Sequence, residues 1–184
     1  YIIKVTSTNI SDVKIIEPRI FADERGYFFE SYNQSEFNKA GINANFVQDN
    51  ESKSSYGVVR GLHCQLGVHG QAKLVRVLSG KVLDVAVDFR AGSPTYGQHV
   101  AVELSCENKR QLYIPRGFLH GFAVLSETCI FSYKCDNLYH KDAECAVRYD
   151  DPTLAINWRL PQEHIVVSDK DKTAGEFKDA MGTR

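Results

Sequence analysis

A histidine and a lysine in one stretch of this chain are suited to moving a proton and holding the charge left behind. Gly57 to Gly80, GVVRGLHCQLGVHGQAKLVRVLSG, sets Arg60, His63, Gln65 and Lys73 into runs that are otherwise apolar and β-branched. Histidine titrates near neutrality and so serves as a base. A lysine fixed in a dry pocket stabilises an anion far better than the same charge does in water. The pair suits proton abstraction beside a centre where negative charge develops.

Strands must position these side chains. Residues i and i+2 of a strand share a face. On GVVRGLHCQ this rule puts Gly61, His63 and Gln65 on one face and Arg60, Leu62 and Cys64 on the other. On KLVRVLSG, Lys73, Val75 and Val77 oppose Leu74, Arg76 and Leu78. Val82 to Phe89 alternates so that Asp84, Ala86 and Asp88 oppose Val85 and Val87.

Upstream, the Val13 to Ile16 run ends at Glu17-Pro18, and Asp23 to Gly26 supplies turn chemistry before an aromatic strand at Tyr27 to Glu30. Ser35 to Gly41 reads as a short helix stopped by Gly41. Phe46 to Asn50 reads as a strand leaving into polar Glu51 to Ser55. Further strands are expected at His99 to Leu104, Gln111 to Ile114, Gly121 to Leu125 and Thr128 to Lys134, and a weak helix over Lys172 to Met181. Strands recurring every ~8–12 residues between turn signals are the pattern of sandwiches and barrels. One all-β domain over residues 1–184, with a few short helices, is the expectation.

Composition narrows the function. Hydrophobic residues make up 43% of the 184 and the formal charge is −1, so a folded core is expected and the footprint of a nucleic-acid binder is missing. No apolar run reaches the ~20 residues of a membrane span, and the N-terminus lacks a signal pattern. The five cysteines form no C-x-x-C pair, and their odd number favours free thiols in a reducing cytoplasm.

The His63 stretch resembles, in degenerate form, the first signature of jelly-roll proteins of the cupin class, G-x5-H-x-H-x3-4-E-x6-G. The second, P-x-G-x-x-H, is intact as Pro115 to His120. Of four expected metal ligands only His63 and His120 are present. Lys73 replaces the glutamate, and an ammonium repels a divalent ion, so no metal is expected. Several further segments stand in order: Phe21 to Glu30 (F-x-D-x-R-G-Y-F-x-E), Gln48 to Ser52 (Q-D-N-x-S), Asp84 to Asp88 (D-V-A-V-D) and Ile114 to Phe122 (I-P-x-G-x-x-H-G-F). Tyr133-Lys134, Asp151 to Trp158 (D-P-x-L-x-I-x-W) and Ser168 to Asp171 (S-x-K-D) complete the set. Taken together, the chain is similar to the dTDP-4-dehydrorhamnose 3,5-epimerase family.

The resemblance implies a cupin-type double-stranded β-helix and epimerisation at C3 and C5 of a dTDP-4-keto-6-deoxyhexose, on the route to dTDP-L-rhamnose, without a cofactor. It implies His63 as base, Lys73 at the enolate oxygen, Tyr133 as acid on the opposite face and Asp171 holding one imidazole tautomer. Arg25, Glu30, Gln48, Asp49, Asn50, Arg60, His120, Glu144 and Lys170 fall on substrate-binding positions, and Tyr139 is placed to stack on thymine. Strict alternation turns Arg60 away from His63, so its role requires a bend, for which Gly61 is the candidate. From the residues alone, Tyr139 and Tyr149 compete with Tyr133 as the acid, and Asp84 competes with Asp171 for the histidine. Cys64 stands where the family often has an aromatic residue, and a packing change with intact chemistry is expected there. C3-only epimerisation, ketoisomerisation of a related dTDP-keto sugar, and a non-catalytic or metal-binding cupin are the other readings. The expected assembly is a homodimer with crossing N-terminal strands, acting on a dTDP-sugar in the cytoplasm, with neither nucleic acid nor membrane as partner.

Overall fold

The computed structural model describes residues 1–183. The chain forms the strands β1 (Ile3–Ser7), β2 (Lys14–Pro18), β3 (Phe21–Asp23), β4 (Gly26–Phe28), β5 (Gln48–Ser55), β6 (Val59–Gln65) and β7 (Lys73–Ser79). They continue through β8 (Lys81–Asp88), β9 (His99–Ser105), β10 (Gln111–Ile114), β11 (Phe118–Val124), β12 (Thr128–Cys135) and β13 (Glu144–Ala146). One antiparallel sheet runs β1-β2-β10-β7-β12-β5 and the other β13-β6-β11-β8-β9, while β3 and β4 form a separate hairpin.

Between the sheets lies a core of Val75, Val77, Val82, Ala86, Val100, Val102, Leu112, Ile114, Phe122 and Phe131. A second core covers the outer face of the β6-β11-β8 layer. Here Leu62, Cys64, Leu83, Val85, Val87 and Leu119 meet Leu154, Trp158, Val167 and Phe177 from the C-terminal segment. β8 is therefore apolar on both faces, and Asp84 and Asp88 are its buried exceptions on the inner face. A third cluster packs Phe37 and Ile42 against Ile16 and Leu74 on the outside of the other sheet. It seats α1 (Gln34–Lys39), whose N-cap Asn33 accepts the Glu36 N–H at 3.1 Å; such a cap contributes about 1 kcal/mol.

The structure differs from the sequence pattern in three places. Polar Glu51 to Ser55 do not leave the sheet; they belong to β5, an edge strand paired only with β12. With one unpaired edge and an inner face opening onto a cavity, β5 has no need of apolar alternation. β11 begins at Phe118, earlier than its apolar run suggests. No helix spans Lys172 to Met181. α2 (Asp169–Lys172) precedes it, and only a 3-10 turn at Phe177–Asp179 follows. Tertiary bonds hold that segment extended: Arg148 N–H donates to the Gly175 carbonyl at 2.9 Å, and Phe177 N–H to Asp151 Oδ2 at 2.7 Å.

The β6–β11 register is the irregularity that matters. His63 faces His120, yet Arg60 faces Phe122, so β6 carries one residue more than β11 across that interval. The extra residue is a β-bulge, and it reverses the parity of everything before it. Arg60 and His63, three apart in sequence, thus share the inner face. Gly61 has φ +124°, and a Cβ there would lie 2.7 Å from the Gly121 Cα. Gly61→Ala should destabilise the protein by roughly 3 kcal/mol from overpacking and backbone strain, read from the midpoint of urea unfolding. An unchanged midpoint would show that the bulge tolerates a side chain.

Candidate active site

The two sheets present their polar inward residues to one another across a cavity of about 260 Å³. From β6 and β11 come Arg60, His63, His120 and Phe122; from β7, β12 and β5 come Lys73, Tyr133, Asn50, Glu51 and Ser52; and the α2 region adds Ser168, Lys170 and Asp171. The histidine and the phenol thus stand on opposing walls.

Asp171 reaches His63 because the bulge leaves a donor free. One carboxylate oxygen accepts the Gly61 N–H at 3.2 Å, and the other lies 2.6 Å from His63 Nε2. Its own position is set by Ser168, whose Oγ accepts the Asp171 N–H at 3.1 Å as the N-cap of α2. A neutral ring that donates Nε2–H to a carboxylate keeps its lone pair on Nδ1, the basic atom. Burial acts to raise the Asp171 pKa, but the His63 and Gly61 hydrogen bonds outweigh it and hold the carboxyl below its usual range.

A second pair lies deeper. His120 Nε2 is 2.7 Å from Asp84 Oδ1, with both residues buried, and Asp84 Oδ2 has no hydrogen-bond partner among the described residues. Burial raises the Asp84 carboxyl and lowers the His120 imidazole, each opposed by the other. Asp84 therefore serves His120, and Asp171 is the carboxylate on His63.

Lys73 opens β7 on the cavity side, its Nζ 5.6 Å from the Tyr133 ring centroid. Burial depresses the ammonium, and Asp84 and Glu144 counter this only as distant charges. Burial also pushes the Tyr133 phenol up, against the pull of Asn50 and Arg60. Of the three candidate tyrosines only Tyr133 lines the cavity. Tyr149 packs with Trp158 against the outer core, and Tyr139 lies at the rim, where its hydroxyl donates to Glu144 Oε2 at 2.6 Å.

The rim is tied together. The Gln48 side chain accepts the Tyr139 N–H at 3.0 Å and reaches Asn50 at 3.2 Å, while the Lys170 ammonium binds the other Glu144 oxygen. Arg60 is steadied by Ser54 at 3.0 Å. Three expected residues are not brought to this cavity within the chain. Asp49 takes the outward face of β5 and pairs with Lys134 at 3.1 Å, because its neighbours Gln48 and Asn50 face the site. Arg25 pairs with Asp23 at the tip of the exposed β3–β4 hairpin, and Glu30 lies beyond it, bonded to Asn33. Glu51, Ser52, Phe122 and Ser168 also line the cavity and are not among the residues expected from the sequence. Ser168-x-x-Asp171 is itself a helix-start signal that could have located α2.

An antiparallel two-sheet sandwich with a histidine–carboxylate pair facing a phenol and a half-buried ammonium defines a jelly-roll protein built for proton transfer. A family model described as dTDP-4-dehydrorhamnose 3,5-epimerase matches residues 7–179. The chain is 52% identical over 177 residues to the Shigella flexneri dTDP-4-dehydrorhamnose 3,5-epimerase, covering 96% of this chain and 97% of that one. The crystal structure of dTDP-4-dehydrorhamnose 3,5-epimerase from Elizabethkingia anophelis superposes with a TM-score of 0.93 at 55% identity, covering 97% of this chain and 98% of that one. The Legionella pneumophila dTDP-6-deoxy-D-glucose-3,5-epimerase, solved in complex with dTDP-4-keto-L-rhamnose, gives 0.92 at 50% identity, covering 96% and 94%. The chain belongs to the dTDP-4-dehydrorhamnose 3,5-epimerase family, whose fold is the cupin-like jelly roll.

The Asp171 carboxyl is depressed on folding, so the stability it contributes is present above its unfolded pKa of ~3.9. That contribution is lost as pH falls through the lower folded value. Asp171→Asn should therefore lose about 1–3 kcal/mol at pH 7, with the gap to the unmodified protein closing in strong acid. Urea unfolding across pH 2 to 7 checks this, and a gap that persists at the acid end would contradict it.

Proposed function

We propose that this protein epimerises C3 and C5 of dTDP-4-dehydro-6-deoxy-D-glucose to give dTDP-4-dehydro-L-rhamnose. The observation that carries the reading is the arrangement of His63 on one wall and Tyr133 on the other, with Lys73 beside Tyr133. It is supported by the relatives' activity and by the Legionella complex with a dTDP-keto sugar.

Both reacting carbons flank the C4 carbonyl, so each C–H is acidified by the ketone. His63 Nδ1 takes the proton while Asp171 stabilises the imidazolium that forms. The electron pair moves to the carbonyl oxygen, where the Lys73 ammonium meets the new negative charge in a site of low dielectric. Tyr133 then delivers a proton to the other face, and the configuration inverts. The phenolate and imidazolium return to their starting states by proton exchange with solvent or with each other. No carbon changes oxidation state.

The remaining residues hold the nucleotide. Arg60 and Lys170 supply cationic contacts for the diphosphate, where a guanidinium can bond two oxygens at once. Gln48, Asn50, His120 and Glu144 orient the sugar and rim, and Tyr139 offers its ring to the thymine. Arg25 and Glu30 act across a homodimer. The β3–β4 arm, with Phe21, Tyr27 and Phe28 exposed, reaches the partner's cavity and closes it. Asp49 contributes through its pairing with Lys134, which steadies the β5–β12 edge. No helix is long and apolar enough to cross a membrane among the described residues, and the enzyme is proposed to act in the cytoplasm.

Incubation with the keto sugar in D2O, followed by NMR of the ring, tests the reaction. Label at both C3 and C5 is expected; label at C3 alone would indicate a mono-epimerase, and none would overturn the proposal. In the same assay His63→Ala should slow exchange at both carbons by about a hundred- to ten-thousand-fold. Tyr133→Phe should let C–H exchange outrun inversion, since it removes the acid and spares the base.

A further inference from the structure

Cys64 and Cys145 are direct cross-strand partners on β6 and β13. Two residues away, Leu62 and Val147 exchange both backbone hydrogen bonds at 3.0 Å. Antiparallel pairs alternate between bonded and non-bonded types, so Cys64 and Cys145 occupy a hydrogen-bonded site with Cα atoms about 5.5 Å apart. That spacing lies inside the ~4.4–6.8 Å range that a disulfide bridges. Both side chains point to the same side of the sheet, into the outer core beside Leu62 and Val147. Both are free thiols; Cys64 is buried and Cys145 is partly exposed.

We infer that Cys64 and Cys145 form a built-in oxidation site, with Cys145 the attacking thiol and Cys64 the resolving one, closing a reversible disulfide between β6 and β13. As direct cross-strand neighbours the two thiols titrate together: Cys64 holds the Cys145 thiol below its ordinary pKa against the effect of burial, while Cys64 itself is pushed up by Cys145 and by burial. The more exposed sulfur is therefore also the better thiolate, the combination that makes a cysteine reactive. Toward hydrogen peroxide the electrons balance. Cys145 thiolate attacks one peroxide oxygen, giving a sulfenic acid and a hydroxide that is protonated to water. Cys64 then attacks the sulfenic sulfur, expelling a second water. Two thiols are oxidised and one peroxide bond is reduced.

The location gives the bond a consequence. β13 is a three-residue edge strand held only by β6, and it carries Glu144, which binds the Tyr139 hydroxyl and the Lys170 ammonium. β6 carries His63. A disulfide here would staple the rim to the strand that bears the base, from the face opposite the cavity.

The test treats the folded protein with hydrogen peroxide and maps its peptides without reduction. A Cys64–Cys145 cross-link reversed by dithiothreitol is expected, with the thiols titratable in denaturant falling from five to three. Hydrogen exchange of Glu144 to Val147 should slow in the oxidised form, since the bond closes in the native register. Cys64→Ser should convert the same treatment into further oxygenation of Cys145 without a cross-link. Cys145 resting as a sulfinic acid while Cys64 remains alkylatable would overturn the inference. So would a cross-link accompanied by faster exchange of β13.

Discussion

One carboxylate joins the halves of this site. Asp171 accepts the Gly61 amide with one oxygen and engages His63 Nε2 with the other. The first bond exists because the β6 bulge turns that amide out of the ladder, and the second because strand parity after the bulge sets His63, opposite His120, on the inner face. Ser168 fixes the carboxylate through the turn of α2, and the C-terminal segment that delivers α2 is anchored by Val167, Trp158 and Phe177 in the outer core. His63 is thus oriented by a residue more than one hundred positions away in sequence. Packing far from the cavity determines whether the tautomer is held.

The facing sheets divide the electrostatic work. One wall carries two histidine–carboxylate pairs, and the other carries the phenol and the ammonium. A lysine in this setting loses solvation, and among the described residues no carboxylate is bonded to its ammonium to restore it. In the proposed reaction it meets the anion that forms. Asp84, which could have quenched it, is engaged with His120 and acts on Lys73 only at a distance. In the proposed reaction, the lysine that replaces a metal ligand in the cupin pattern takes the part of an ion at the carbonyl oxygen, without coordination geometry to satisfy.

Alternation made most of the sheet legible. β7 and β8 have apolar side chains on opposite faces, and the parity placing Lys73 and Asp84 inward held. β5 escaped because an edge strand lining a polar cavity carries no apolar period. Arg60 failed strict parity, and the adjacent glycine flagged the bulge that corrects it. Asp171 was legible only through resemblance, since nothing local ties it to His63. The rim pairing of Glu144 with Lys170 is likewise a long-range contact that spacing does not encode. Arg25 and Glu30 show the opposite limit: their motif is clear, yet the chain places them on an arm away from its own cavity.

Everything proposed for this site depends on Asp171 holding His63 as the tautomer with a bare Nδ1. Nitrogen-15 NMR of the imidazole in the free enzyme, at a pH where the ring is neutral, measures this directly. The account predicts a protonated Nε2 with a strongly downfield proton and a pyridine-like Nδ1, with Asp171→Asn weakening or reversing that preference. A ring protonated at Nδ1 in the unmodified enzyme would contradict it.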